Sequence, residues 1–170
     1  MIVVVFGLPG SGKSYFAYRL ADRLKADYIG SDRLRRDLFA ETVYSESEKL
    51  LVYSKMLMEM RAHIRQNRDL VCDATFYKND IRKQFIDEAG EENEIIFIEI
   101  QAAEPVIRRR LAKKRADSDA DFDVYQKIKE EWEPLQEEHL VLESTDNNIN
   151  YMLNKAAAYL RRHNDKRTSQ

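Results

Sequence analysis

Short apolar runs alternate along this chain with longer segments in which apolar residues recur every three or four positions. Each run is too brief for a helix, and the first is dominated by β-branched residues, which predicts strands. The predicted strands cover residues 2–6, 27–29, 69–72, 94–100 and 139–142. Strands that alternate with helices are typical of an α/β fold, in which crossover helices wrap a parallel sheet.

The longer segments predict helices whose apolar stripes face the core. The stripes are Phe16, Leu20 and Leu24; Leu50, Tyr53, Leu57, Met60 and Ile64; Ile81, Phe85 and Ala89, closed by Gly90; Phe122, Tyr125, Ile128, Trp132 and Leu135, stopped near Pro134; and Ile149, Leu153, Ala156 and Leu160. The polar residues from Arg161 onward are predicted to fray.

The composition narrows the class of protein. A length of 170 residues indicates one domain, placed at residues 1–162, with a polar tail at 163–170. Lysine and arginine number 28 against 30 aspartate and glutamate, so a net charge of −2 offers no general attraction for nucleic acid. The lone cysteine, Cys72, is expected to be a small buried hydrophobe. No apolar stretch approaches the ~20 residues of a transmembrane helix and no cleavable signal precedes the first strand, so a cytoplasmic location is expected.

One motif carries specific chemistry, because residues 7–14 read Gly-Leu-Pro-Gly-Ser-Gly-Lys-Ser directly after the first strand. Its glycines permit a tight turn that points backbone N–H groups at an anion, and the helix that follows adds its positive dipole end. Lys13 is expected to reach the β- and γ-phosphates of a nucleotide, and the Ser14 hydroxyl to ligate Mg²⁺. The predicted nucleotide-binding residues are Gly7, Leu8, Pro9, Gly10, Ser11, Gly12, Lys13, Ser14 and Tyr15.

Two other interpretations fit this motif less well. A glycine-rich turn with an exposed lysine would not require the preceding strand. A dinucleotide-binding fingerprint requires a third glycine, which the Gly10-Ser11-Gly12 segment lacks at the necessary spacing.

Two carboxylates follow predicted strands, at the edge of an α/β sheet where ligands gather. Asp73 ends the third strand, where a ligand to Mg²⁺ or its water is expected, and Asp32 follows the second strand, where a base can accept a hydroxyl proton. Arg35, one turn beyond Asp32, is expected to hold the acceptor or the transferring phosphate. The competing interpretation of Asp32 is an N-cap of a helix that starts at Arg33, which Ser31 could equally supply, and that of Asp73 is a helix cap or turn.

The densest charge in the chain lies at residues 108–115, after the fourth strand. In a phosphoryl-transfer fold this is the position of a mobile lid that delivers arginines to the phosphates, so Arg110, Lys114 and Arg115 are the candidates. Arg110 and Arg115 join Lys13 and Asp32 as predicted catalytic residues. A solvated helix face remains the alternative, and a nuclear-localisation signal is a weaker one.

Several of these segments match one known group of enzymes. The matching residues are 7–14, Ser31-Asp32 with Arg35, Asp73-Ala74-Thr75-Phe76, the basic run leading into Ser118-Asp119-Ala120, and Glu133-Pro134-Leu135. Together they resemble the predicted P-loop kinases of the polynucleotide-kinase and zeta-toxin group.

This resemblance implies the P-loop NTPase fold, an α/β/α three-layer arrangement with a five-stranded parallel sheet in the order 2-3-1-4-5 and a helical lid at about 108–121. It implies ATP and Mg²⁺ as cofactors, Asp32 as the base and Arg35 as an acceptor-site residue, with Asp73 and Thr75 also contacting substrate. The adenine is expected near the base of the lid and residues 143–146.

The expected activity is transfer of the γ-phosphoryl group of ATP to a hydroxyl of a small or nucleoside-sized acceptor. A 5′-hydroxyl polynucleotide or RNA kinase is the alternative enzyme, and an ATP-switched binding protein is the alternative of another class. A phage polynucleotide kinase of this group has Asn where this chain has Phe76, a ring that could pack against an acceptor, stack on a terminal base or join the core.

Overall fold

The computed structural model describes residues 1–91, 93–113 and 121–168 of the chain. Within these residues there are five strands and seven helices, and one or two helices separate each strand from the next. The strands are β1 (Ile2–Phe6), β2 (Asp27–Gly30), β3 (Leu70–Asp73), β4 (Ile95–Gln101) and β5 (Leu140–Glu143). The helices are α1 (Lys13–Leu24), α2 (Ser31–Leu38), α3 (Glu46–Arg65), α4 (Asn79–Ala89), α5 (Glu104–Leu111), α6 (Phe122–Glu130) and α7 (Ile149–Thr168).

The strands form one parallel sheet in the order β2-β3-β1-β4-β5, which confirms the predicted order. β1 lies at the centre, where Ile2 pairs with Leu70 of β3 on one side and with Ile95 of β4 on the other. All five residues of β1 are buried, because a parallel sheet is covered by helices on both faces. This arrangement brings the carboxyl ends of all strands to one edge of the sheet.

Successive β1 side chains enter two separate cores, as the two-residue period of a strand requires. Val4 and Phe6 pack in a cluster with residues of α3 and α4, such as Met56 and Phe85. Val3 and Val5 pack in a second cluster with residues of α1 and α7 that include Phe16, Leu20, Met152 and Ala156. The fold is therefore a three-layer sandwich with the sheet in the middle.

The buried stripe of α3 differs from the predicted one. Leu50 is 62 % exposed, whereas Val52 and Met56, which were not predicted, are fully buried beside Tyr53 and Met60. Apolar residues lie nearly all around this helix, so their spacing alone does not identify the side that meets the sheet.

Helix α6 ends earlier than predicted. It stops at Glu130, and the backbone N–H of Glu133 donates instead to the carbonyl of Tyr77 at 3.0 Å. Trp132 still reaches the core, where its ring stacks on Phe6 with centroids 6.0 Å apart. The apolar residues after Glu130 thus pack against the core from a segment without regular secondary structure rather than from a helix.

The two longest helices, α3 and α7, each contain 20 residues. α7 continues to Thr168, beyond Leu160 where its apolar stripe ends and fraying was predicted. Both helices contain charged residues at several positions. No helix in the described part of the chain is long and apolar enough to cross a membrane.

Candidate active site

The loop between β1 and α1 has the geometry of an anion cradle. Gly12 precedes α1 with φ of 94°, a left-handed conformation that favours glycine, and the helix begins at Lys13. Gly7 is equally constrained, because a Cβ there would lie 2.3 Å from the carbonyl oxygen of Ile100. The first N–H groups of a helix lack partners within the helix and favour an anion. The loop is therefore fit to hold phosphate at the positive end of α1.

An open cleft of about 890 Å³ lies beside this loop at the carboxyl edge of the sheet. Its walls combine the phosphate loop with the ends of β2, β3 and β5 and with α5. Of the predicted site residues, it brings together Gly12, Ser14, Tyr15, Asp32, Asp73 and Arg110. Its wall also includes residues 144–146, which overlap the segment predicted to lie near the adenine.

Asp73 is the most buried carboxylate of the cleft, with 3 % of the residue exposed. Its Oδ2 accepts a hydrogen bond from the Tyr28 hydroxyl at 3.0 Å, whereas its buried Oδ1 has no hydrogen-bond partner among the described residues. Burial raises the pKa of Asp73 above its usual range, and the Lys13 charge and the hydroxyls of Ser14 and Tyr28 oppose that rise.

These surroundings fit the predicted magnesium site. A buried carboxylate oxygen without a partner is rare, because its desolvation is uncompensated. Oδ1 of Asp73 and the Ser14 hydroxyl are hard oxygen donors, the type that Mg²⁺ prefers. Asp73 and Ser14 are thus the residues that would hold the ion, which supplies charge neutralisation to the phosphates when bound.

Asp32 does not cap a helix that starts at Arg33. α2 already begins at Ser31, its N-cap is Gly30, and within the described residues no side chain caps it. Asp32 lies in the first turn of α2 and lines the cleft with Ser14 and Asp73. The N-cap alternative is therefore wrong for both Ser31 and Asp32, while the role of Asp32 as a base stays a prediction.

Arg35 points away from the cleft. Only 8 % of the residue is exposed, and its Nη1 donates to Oε2 of Glu48 at 3.4 Å. Its guanidinium also lies 4.6 Å from the centre of the Tyr44 ring. Two other arginines of α2, Arg33 and Arg36, line the cleft instead, because their positions lie on the side of the helix opposite Arg35.

Glu48 is a partner that the sequence analysis missed. Its carboxylate accepts hydrogen bonds from the backbone N–H groups of Val43 and Tyr44, at 3.0 and 2.8 Å, as well as from Arg35. Ser45 caps α3 by accepting from the N–H of Glu48. The Ser-x-x-Glu spacing of a capping box was the available signal that Glu48 reaches back over the helix start.

Thr75 and Phe76 follow β3 but do not belong to the described wall of the cleft. The Phe76 ring is fully buried and lies 4.9 Å from the Phe85 ring and 5.3 Å from the Tyr53 ring. Phe76 therefore joins the core, and the suggestion that it stacks on a base or packs against an acceptor is wrong. The Tyr53 hydroxyl accepts its N–H and helps to hold a φ of 47°.

The basic run begins within α5, and each of its described arginines contacts another residue of this chain. Arg110 donates to the carbonyl of Ser11 at 3.0 Å and to the Ser144 hydroxyl at 3.2 Å. Arg109 pairs with Asp146, and Arg108 lies 3.6 Å from the centre of the Phe122 ring. Arg110 thus already contacts the phosphate loop, on the side of its carbonyl groups.

The remaining lid residues lie outside the described part of the chain. These are Lys114, Arg115 and the segment Ser118-Asp119-Ala120. α5 and α6 flank this segment and mark the two ends of the predicted lid. The catalytic role of Arg115 and the proposed extent of the lid remain predictions.

Comparison with known families agrees with this architecture. A family model described as an AAA domain matches residues 2–135 of the chain. A comparison with curated proteins finds no match.

Solved structures share the fold over almost the full length of the chain. A gluconokinase from Sinorhizobium meliloti 1021 superimposes with a TM-score of 0.76 at 18 % identity, covering 99 % of this chain and 97 % of that chain. A sugar kinase from Janibacter sp. HTCC2649 gives a TM-score of 0.72 at 16 % identity and covers 94 % of each chain. The Mycobacterium tuberculosis APS kinase in complex with AMPPNP and APS gives 0.70 at 17 % identity, covering 94 % of this chain and 96 % of that chain. These likenesses establish the P-loop fold that the sequence motifs implied.

Proposed function

We propose an ATP-dependent kinase activity for this chain, which belongs to the AAA domain family. The proposed reaction moves the γ-phosphoryl group of ATP to a hydroxyl of a small or nucleoside-sized acceptor. One observation carries the proposal: Ser14, Asp32 and Asp73 line the same cleft beside the phosphate loop. A phosphoryl-transfer site requires a phosphate cradle, oxygen ligands for a metal and a base for the acceptor, and this cleft offers all three.

The phosphate loop would bind the donor. The backbone N–H groups at the start of α1 would donate to the phosphates, and Lys13 supplies a positive charge that already influences the pKa of Asp73. Ser14 and Asp73 would hold Mg²⁺. In this arrangement the protein would align the phosphates and stabilise their charge, which are the main contributions of a protein to phosphoryl transfer.

Asp32 would accept the proton of the attacking hydroxyl. It lies in the first turn of α2 and on the cleft wall, so its carboxylate can face an acceptor that enters beside the phosphate loop. A positioned base of this kind contributes typically 10²–10⁴-fold to a rate. Arg110, which contacts the loop carbonyls and Ser144, would stabilise the donor side of the cleft.

Three observations support a small acceptor. The cleft volume of about 890 Å³ must accommodate both the nucleotide and the acceptor, and drug-sized ligand sites span roughly 300–1,000 Å³. The described arginines of the basic run are paired within the protein rather than arrayed along a track for a strand. Two of the structural neighbours bear the names gluconokinase and sugar kinase, which denote small acceptors.

A screen of acceptors with γ-labelled ATP tests this proposal. The library should contain sugars, sugar acids, nucleosides and 5′-hydroxyl oligonucleotides, and the expected result is label transfer to a small hydroxyl compound. Asp32→Asn should lose most of the transfer while it retains ATP binding. Asp22→Asn is the matched control, because Asp22 lies on the exposed side of α1 and pairs only with exposed Lys25 in its described surroundings.

Other outcomes would redirect the assignment. Efficient phosphorylation of an oligonucleotide, with affinity that falls steeply as salt rises, would instead support a polynucleotide kinase. ATP hydrolysis without any acceptor, together with nucleotide-dependent capture of a partner and undiminished turnover in Asp32→Asn, would support a switched binding protein. Failure of the wild-type protein to bind ATP·Mg²⁺ would refute the whole family of nucleotide functions.

A further inference from the structure

Tyr28 is a cleft residue that none of the sequence motifs identified. In the β2–β3 ladder Gly30 pairs with Asp73, so Tyr28, two positions earlier on β2, projects to the same face as Asp73. Its hydroxyl donates to Oδ2 of Asp73 at 3.0 Å across the two strands. Tyr28 is therefore placed to control how the carboxylate is oriented.

Gly30 makes room for this contact. A Cβ at position 30 would lie 2.4 Å from the Tyr28 hydroxyl oxygen and 3.0 Å from its Cζ. The φ of Gly30 is −111°, which any residue adopts, so the backbone conformation does not require glycine here. Space for the Tyr28 ring is what this glycine provides.

Tyr18 also contacts the Tyr28 ring. It projects from α1 and meets the Tyr28 ring edge-on, with centroids 5.7 Å apart and an interplanar angle of 87°. The Tyr28 hydroxyl carries a proton that it donates to Asp73 Oδ2. The donor is thus fixed in position by Gly30, Tyr18 and the strand ladder.

We propose that Tyr28 is a positioning residue for the metal-binding carboxylate of this site. By engaging Oδ2, its hydroxyl holds Asp73 so that Oδ1, which has no described protein partner, is the oxygen left for Mg²⁺ or one of its waters. The inference rests on the proposed nucleotide-binding function. It assigns to Tyr28 a role in metal affinity and none in contact with the reacting atoms.

The test measures magnesium-dependent ATP binding in Tyr28→Phe by calorimetry. ATP affinity is determined with EDTA and then over a series of Mg²⁺ concentrations. Loss of a partner to a metal ligand typically weakens metal affinity 10–100-fold, so the Mg²⁺ concentration for half-maximal enhancement should rise by about that factor. The affinity in EDTA should not change. Tyr151→Phe is the matched control, since this tyrosine is 59 % exposed on α7.

Gly30→Ala provides a second, independent variant. It retains the Tyr28 hydroxyl but displaces the ring, so it should shift the magnesium dependence in the same direction. A thermal melt shows whether Tyr28→Phe folds. If it does not fold, the magnesium dependence of Gly30→Ala decides whether Tyr28 positions Asp73.

The outcomes distinguish failure of the proposed nucleotide-binding function from failure of the role assigned to Tyr28. If the wild-type protein shows no magnesium-enhanced ATP binding, the proposed function itself fails. If the wild type shows it and both variants retain the wild-type magnesium dependence, the role assigned to Tyr28 is overturned. An equal loss of ATP affinity with and without Mg²⁺ also overturns it, because a metal-positioning residue cannot act in EDTA.

Discussion

Replacing Glu48 by alanine tests whether Arg35 stabilises the fold or is available to an acceptor. The side chains of Arg35 and Glu48 are only 10 % and 8 % exposed, and they join at 3.4 Å between α2 and α3. Removing one partner of a buried ion pair leaves an uncompensated charge, which destabilises a protein by about 3–5 kcal/mol. The N–H groups of Val43 and Tyr44 also lose their acceptor. Water can replace it there, because 74 % of Val43 and 45 % of Tyr44 are exposed.

The expected change is therefore about 3–5 kcal/mol in the free energy of unfolding, or roughly 6–20 °C in Tm at about 2–4 °C per kcal/mol for a chain of this size. Urea unfolding, with a thermal melt, measures it. The double variant with Arg35→Met should lose less than the sum of the two single variants, because the second removal abolishes the unpaired charge.

Asp22→Ala is the surface comparison for this experiment. Its ion pair with Lys25 has side chains 77 % and 81 % exposed, so its loss should change stability by about 0–1 kcal/mol. If Glu48→Ala changed the unfolding free energy no more than this control, the buried pair would have no structural role.

Three further predictions concern the cleft. Lys13→Ala should weaken ATP·Mg²⁺ binding or abolish turnover, and its melting temperature should be unchanged. Calorimetry measures the binding and a thermal melt measures the stability. Equal ATP affinity together with equal turnover would contradict the phosphate-loop assignment. Arg110→Ala should lower kcat more than it lowers ATP affinity, and Arg110→Lys should not restore kcat, because a single ammonium cannot reproduce the contacts of a guanidinium. Steady-state kinetics and direct ATP titration measure the two quantities. If Arg110 were only a solvated arginine, both kcat and ATP affinity would stay unchanged. Burial raises the pKa of Asp73 in the folded protein, so the folded state binds the proton more tightly than the unfolded state and stability falls as pH rises from below the ordinary aspartate value through the raised one. Asp73→Asn should remove this pH-dependent loss of stability. The variant should be more stable than wild type at neutral pH, and the difference should vanish in acid. Urea unfolding at a series of pH values from 3 to 8 measures the difference in unfolding free energy, and a constant difference across that range would refute the prediction.

Local patterns were sufficient to predict most of the architecture. The β1 run is apolar throughout because both faces of a central parallel strand are buried, and the phosphate loop must be glycine-rich because its left-handed residues exclude side chains. Such constraints act within a few residues, so they are visible in the sequence. The placement of Asp73 at the end of a strand beside this loop followed from the same reasoning.

The buried faces and the ends of helices were harder to predict from the sequence. α3 presents apolar residues on several sides, so only the position of the sheet decides that Met56 is buried and Leu50 is not. α6 ends at Glu130, and beyond it the backbone N–H of Glu133 donates to the carbonyl of Tyr77, more than fifty residues away in the sequence. A competing long-range hydrogen bond leaves no periodic signal.

The sequence by itself determined the parallel sheet and the phosphate loop, and it placed a lysine and a serine in that loop and a carboxylate at a strand end beside it, because these features depend on local spacing and side-chain type. The tertiary structure decided which groups face one another. It paired Arg35 with Glu48, buried Phe76 in the core and set Tyr28 against Asp73 through the space left by Gly30. Those contacts join residues far apart in the chain, and their geometry depends on sheet register and helix rotation, which no short segment specifies.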